Sequence, residues 1–243
     1  MTVAISGQQI DKLAPRALAA YRQAFTAPEA AKVLEDHGVS NSALRVCHFL
    51  AQVMTETGAL TLHQENLSYS AQRLVQVWPR HFPSLEAAAP YAHNPEKLGD
   101  FIYGHGSIAH DLGNTEPADG YKYRGRGLLQ ITGRNAYARY GKALGIDLLG
   151  DPDLAFGTAA LAVTCAEWAA SGYHGKTCNQ LADADDVLGV THAINGGTNG
   201  LADRRLWLKK AKEIWMSAAE AHAATPTPPP ASRATANQTA AAG

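Results

Sequence analysis

Two carboxylates nine positions apart, Glu56 and Glu65, lie in the stretch from Leu44 to Ser70, LRVCHFLAQVMTETGALTLHQENLSYS, where an apolar helical pattern meets several polar groups. An acid and a base held roughly 6.5 to 9.5 Å apart suit cleavage of a sugar bond with inversion. One carboxyl protonates the leaving oxygen while the other activates a water on the opposite face. In an unbroken helix rising about 1.5 Å per residue the pair would stand about 13 Å apart. A chain reversal after Gly58 would bring them closer. Taken singly, each of these residues reads as ordinary surface: a glutamate at a helix end is usually solvated, and His48 and Gln52 read as exposed polar groups. The pair gains meaning only if the rest of the chain supplies a matching wall.

The element that must carry Glu56 is a helix. Leu44, Val46, Cys47, Leu50, Val53 and Met54 recur at three- and four-residue steps, the spacing of a buried stripe. Asn41 or Ser42 suits its N-cap and Gly58 its stop. His48, Gln52 and Glu56 follow at i, i+4 and i+8, along one line of that helix. The wall opposite is sought in YKYRGRGLLQITG, Tyr121 to Gly133, whose glycines and short apolar run predict a turn, a strand and a turn. Lys122, Arg124 and Arg126 would share one face of such a strand, and an arginine there can grip a carboxylate with two bonds. The glycine spacing is not that of a nucleotide-binding loop.

Around these two stretches the pattern predicts helices over 8–24, 28–37, 70–78 and 94–102, with 79–120 otherwise rich in loops. Further helices are predicted over 135–144, from Asp151-Pro152 to Gly172, and over 183–194 and 201–222. Asn195-Gly196-Gly197 reads as a tight turn able to present the Asn195 amide. From Ala223 onward there is no large apolar residue, so 223–243 reads as a disordered tail or linker.

Composition excludes several classes. The 243 residues carry 21 basic and 22 acidic side chains, a net charge of -1. Nothing draws the whole chain toward nucleic acid or an anionic membrane. Hydrophobic content is 46%, yet no stretch reaches the roughly 18 to 20 apolar residues of a membrane span. The first residues lack the basic start and apolar run of a signal peptide, so synthesis in the cytoplasm is expected. Cys47, Cys165 and Cys178 have no metal or disulfide spacing. The first two read as buried, and Cys178 as a free thiol in a polar loop. His105, His110 and Asp111 lie close together, but HGSIAHD matches no zinc pattern and reads as a loop lining the cleft. No metal or cofactor is expected.

Taken together, RVCHFLAQVMTETG, ENLSYS, DGYKYRGRGLLQITGR and INGG followed by the DRR helix resemble the family 19 glycoside hydrolases, over roughly residues 5 to 216. The resemblance implies a mainly α, lysozyme-like two-lobed helical domain with a central substrate cleft, spanning residues 1–222. It implies Glu56 as general acid, Glu65 as general base, and Thr132 as the hydroxyl that holds the water. Tyr123, Gln130 and Asn195 match residues that contact sugar. Arg126 and Arg204 match a charge network behind the acid, with Arg205 competing for the place of Arg204. Two positions depart from the pattern: Thr55 precedes the acid where the family often has histidine, and the asparagine after QITGR comes one place early, as Asn135.

The short interval between the acids resembles the endolysin branch. The expected function is therefore that of a muramidase-type peptidoglycan hydrolase, a monomer made without a signal peptide and acting on the cell wall after release by another protein. A chitinase shares the chemistry and is the alternative. A glycan-binding module without activity is the alternative of another class, and the intact Glu56, Glu65 and Thr132 argue against it.

Overall fold

The protein is described here by a computed structural model that covers residues 2–216 except His63 and Thr158. The predicted tail 223–243 and the last residues of the predicted final helix, 217–222, lie outside the described residues. The chain opens with α1 (Gly7–Leu13), α2 (Ala19–Thr26), α3 (Ala30–Asp36) and α4 (Ala43–Glu56). The shorter helices α5 (Ala71–Val77), α6 (Leu85–Ala88), α7 (Pro95–Tyr103), α8 (Gly106–Leu112) and α9 (Asp119–Lys122) come next. They are followed by α10 (Arg134–Leu144), α11 (Ala160–Ala170), the strands β1 (Gly172–Tyr173) and β2 (Lys176–Thr177), α12 (Cys178–Asp183), α13 (Val187–Asn195) and α14 (Leu201–Trp215).

Helix α4 is the axis of the larger lobe. Ser42 caps it, its hydroxyl accepting from the Arg45 N–H at 3.2 Å. Every residue from Val46 to Met54 is buried, so the helix is enclosed on all sides rather than along one stripe. The line of His48 and Gln52, expected to be exposed, is instead its seam with α14. His48 Nε2 lies 2.8 Å from Asp185 Oδ1, while Lys212 of α14 donates to the other oxygen at 2.6 Å. One step further along, Arg204 of α14 donates to Gln52. Buried polar groups need partners; Asp185, between α12 and α13, and Lys212 and Arg204 of α14 supply part of them, while His48 Nδ1 and Gln52 Nε2 are buried without a hydrogen-bond partner among the described residues.

Among the described residues, three apolar clusters fill the interior. The largest joins α1–α4 with α11–α14, and a second gathers Tyr123, Ile131, Tyr137, Tyr140 and Leu148. The third, with Leu67, Leu74, Phe82, Leu98 and Ile102, is the core of a smaller lobe built on α5 to α7. Leu60 belongs to the first core and Leu67 to the third. The chain between them, which carries Glu65, therefore crosses from one lobe to the other.

Several predicted elements are corrected. The helix predicted over 8–24 is two helices, because Pro15 has no N–H and forces Ala14 out of helical geometry, at φ -134° and ψ 76°. The helix predicted from Asp151-Pro152 begins as a 3-10 turn, Pro152–Ala155, and the α-helix starts only at Ala160. The strand predicted within 121–133 does not form. Arg126 pairs with Ile131 and with Gln64 by isolated bridges, and the loop between is tightened by positive φ at Gly127 and Gln130. The hairpin of β1 and β2 was not predicted; His174 and Gly175, both at positive φ, make the turn type that suits two-residue hairpins. Cys178 is buried in the first turn of α12, and burial pushes its thiol up to about 12, which leaves it unreactive.

Candidate active site

Glu56 is the last residue of α4, and the chain reverses directly after it. Gly58, Ala59 and Leu60 are all left-handed, at φ 53°, 62° and 63°, a costly conformation for residues with a Cβ. The turn is held by its own bonds. Thr57 donates to Val53 O at 2.6 Å and accepts from the Leu60 N–H at 2.8 Å, and Ala59 N–H reaches Met54 O at 2.7 Å. Buried Leu60 anchors it in the main core. A left-handed turn thus begins at Gly58, where the sequence left room for a reversal.

The Glu56 carboxylate is gripped by Arg204, which is 2% exposed. That guanidinium donates to Glu56 Oε1, to Gln52 Oε1 and, at 3.4 Å, to the carbonyl of Asn199. Asn195 Nδ2 donates to the same carbonyl at 2.8 Å, and Thr55 packs beside Gly200. The structure thus gathers Glu56, Gln52, Arg204 and Asn195 into one network. Arg205 is exposed and outside it. Another carboxyl lies within electrostatic reach of Glu56. Glu167 of α11 has its Oε2 shut off from solvent without a hydrogen-bond partner among the described residues. Burial first, and the charge of Glu56 second, push it up to about 8 against the pull of Arg139.

Glu65 belongs to a second group, built around Gly125. Its N–H donates to Gly125 O at 2.9 Å. A Cβ placed on Gly125 would lie 3.4 Å from both Glu65 Cβ and Thr132 Oγ1, and 3.0 Å from Gln130 Oε1. The missing side chain is what lets the three meet. Gln130 sits at φ 59° and is pinned by its Nε2 bond to Gly127 O at 2.8 Å. The Glu65 carboxylate accepts a hydrogen bond from the Tyr103 hydroxyl at 2.5 Å. Beside it lies a groove of about 340 Å³ lined by Gln64, Glu65, Asn66, Tyr121 and Arg124.

Two residues carried over from the resemblance are not brought to the site. Tyr123 is 1% exposed, packs on Tyr137 and donates its hydroxyl to Leu149 O at 3.2 Å; a tyrosine so enclosed has no free face for a sugar. Arg126 is absent from the network of Glu56. It pairs with Asp153 at 2.8 Å and donates to Lys122 O and the Tyr137 hydroxyl, bracing the loop that holds Gly125. Arg124 does not hold a glutamate either; it donates to Gln64 Oε1 at 2.8 Å. His110 and Asp111 are exposed, their side chains paired 3.4 Å apart, and His105 stands at the N-terminus of α8. Among the described residues no group of three or more His, Cys, Asp or Glu side chains is placed to hold a metal.

Sequence reasoning missed Tyr103, Asn199 and Glu167. Tyr103 lies 38 positions from its partner, and no periodicity links the two. Asn199 acts through its main-chain carbonyl, which any residue would supply. Glu167 sits in a strongly apolar run, and that mismatch was a signal available in the sequence.

Comparison with known proteins gives the family and the fold. The sequence profile of chitinase class I, glycoside hydrolase family 19, matches residues 105–179. A Haemophilus influenzae protein described as a glycosyl hydrolase family 19 domain-containing protein is 37% identical over 206 residues, 84% of this chain and 94% of its own length. The chain belongs to glycoside hydrolase family 19. Chitinase 8 of Oryza sativa subsp. japonica is 34% identical over 91 residues, 31% of this chain and 35% of its own. Among solved structures, chitinase C from Streptomyces griseus superposes with a TM-score of 0.58 at 21% identity, covering 87% of this chain and 76% of that one. A further bacterial family 19 chitinase gives 0.57 at 20% identity, covering 88% and 96%. At such identities the likeness is one of fold, and the fold is the mainly helical, lysozyme-like one expected. The family 19 chain is a glycosidase.

Proposed function

We propose that this family 19 enzyme hydrolyses β-1,4 bonds in the glycan of bacterial peptidoglycan with inversion, Glu56 acting as acid and Glu65 as base. The observation that carries the reading is the meeting of Glu65, Thr132 and Gln130 at Gly125, across a pinned reversal from a second glutamate held by a buried arginine. Arg204 occupies Oε1 of Glu56, and among the described residues Oε2 takes no hydrogen bond. In this mechanism Oε2 carries the proton given to the leaving oxygen. Glu65 takes a proton from a water that the Thr132 hydroxyl, its hydrogen donated to Gln130 O, helps to orient by accepting through its lone pairs. Attack from the face opposite the leaving group inverts the anomeric centre. Asn195, in the network of Glu56, and Gln130, beside Glu65, are the amides offered to the N-acetylated sugars.

One observation supports peptidoglycan as substrate. Only nine positions separate the two acids, the spacing that resembles endolysins. The protein would then act on the cell wall. Chitin is the second reading, favoured by the bacterial chitinases that share the fold. Digestion of purified sacculi and of chitin oligomers, with mass spectrometry of the new reducing ends, separates them. Muropeptides released from sacculi with chitin intact support the proposal; the reverse pattern makes the protein a chitinase; and product with retained anomeric configuration would remove the mechanism.

A further inference from the structure

The sequence suggested an arginine as partner of a catalytic carboxylate, and for Glu65 the partner is a neutral group. We propose that Tyr103 is the positioning residue of the base: its hydroxyl fixes one oxygen of the Glu65 carboxylate so that the other is presented to the attacking water. The inference rests on Glu65 being the base. Tyr103 ends α7, in the smaller lobe, and donates to Glu65 Oε1 at 2.5 Å. Its backbone is tied to the loop that carries Thr132. Asn114, 6% exposed, donates from Nδ2 to Tyr103 O at 2.9 Å and accepts at Oδ1 from the Arg134 N–H at 2.9 Å. One buried amide thus sets the tyrosine that holds the base and the turn that holds the water-orienting threonine.

Among the described residues, few groups face Glu65. Tyr69 comes from its own segment, Tyr103 from α7, and Arg124, Gln130 and Thr132 from the loop of Gly125. Arg124 is committed to Gln64 and to the Tyr121 carbonyl, and Thr132 donates to Gln130 O at 3.1 Å. Among the described residues, Tyr103 alone bonds the carboxylate. Burial first, and the negative charge of Glu65 second, hold its hydroxyl well above the ordinary tyrosine range, so it stays a donor at every pH where the enzyme would act. A neutral donor orients a carboxylate without the strong pull of an adjacent full positive charge, which would weaken it as a base.

The test pairs Tyr103→Phe with Glu65→Gln, assayed on the polymer that the wild type cleaves. For Tyr103→Phe, a hydrogen bond to a charged group is lost. The expected result is a kcat about tenfold or more lower with KM within about twofold, and an acid limb of the pH–rate profile moved up by about one pH unit. The far-ultraviolet spectrum should stay native. An unchanged rate and profile in Tyr103→Phe, beside an inactive Glu65→Gln, overturns the role of Tyr103 and leaves the base in place. Full turnover by Glu65→Gln removes the base and this proposal with it. Should Tyr103→Phe not fold, 3-fluorotyrosine at position 103 keeps the shape and donates more strongly. The acid limb should then move to lower pH, and a limb that stays put overturns the proposal.

Discussion

Arg204 shows what a single side chain settles at the site. Arg204 and Arg205 are adjacent and alike in sequence, and burial separates them: one spans Gln52, Glu56 and the Asn199 carbonyl, the other faces solvent. A guanidinium is a planar fork that can serve three acceptors, and an ammonium on a flexible stem cannot hold the same set. Arg204→Lys is therefore expected to lower kcat by about tenfold or more and to lower the melting temperature, because Gln52 is left buried without its donor. Arg205→Lys should change neither, and equal losses in the two variants would show that the pairing with Glu56 is not what matters. For the acid itself, Glu56→Gln is expected to cost about 100- to 10,000-fold in turnover with the fold intact. Steady-state rates on the cleaved polymer together with a thermal melt check both.

At the scale of elements, the loop of Gly125 and the seam of α4 with α14 decide where those side chains stand. Gly125→Ala would place a methyl 3.0 Å from Gln130 Oε1 and 3.4 Å from Thr132 Oγ1 and Glu65 Cβ, so the base and its neighbours must give by a few tenths of an ångström. The buried clusters are untouched. Expected is a loss of turnover of about tenfold to a hundredfold with little change in melting temperature, and a large drop in both would instead make Gly125 a folding residue. Much of α4 was legible in the sequence, because Ser42, the apolar steps and Gly58 are local signals that depend on nothing distant. What could not be read was the meaning of His48 and Gln52. A polar line on a helix looks the same whether water or α14 covers it, and the partners, Asp185, Lys212 and Arg204, lie more than a hundred positions away. The same limit explains Arg126. Its pairing with Asp153 depends on where the 3-10 turn Pro152–Ala155 docks, which no local pattern records. In the family resemblance, Tyr123 stands for a sugar contact; here the second apolar cluster has enclosed it.

For the molecule as a whole, three buried or paired carboxyls set how stability depends on pH. Burial raises Asp185, but the bonds from His48 and Lys212 outweigh it and hold the group below the ordinary aspartate range. Asp119 is likewise raised by burial and then lowered further by Arg134 and by the N–H groups of Glu116 and Thr115. A depressed carboxyl contributes stability that is present above its unfolded value, near 3.8, and lost as pH falls through the folded one. Asp185 ties α4 to α14, and the bridge of Asp119 to Arg134 joins α9 to α10, so acid should loosen both. Glu167 acts in the opposite sense. Raised to about 8, it binds its proton more tightly folded than unfolded, so its contribution falls as pH rises from about 4.5 and levels off above about 8. These groups together predict greatest stability near pH 4 to 5, with a decline on each side. Thermal melts from pH 3 to 9 should show both limbs in the wild type. Glu167→Gln, neutral and nearly isosteric, should flatten the decline between pH 5 and 8 and leave the acid limb as it was, whereas Asp185→Asn should reduce the acid limb alone. If wild-type and Glu167→Gln melting temperatures run parallel from pH 5 to 8, Glu167 is not held in its protonated form beside Glu56.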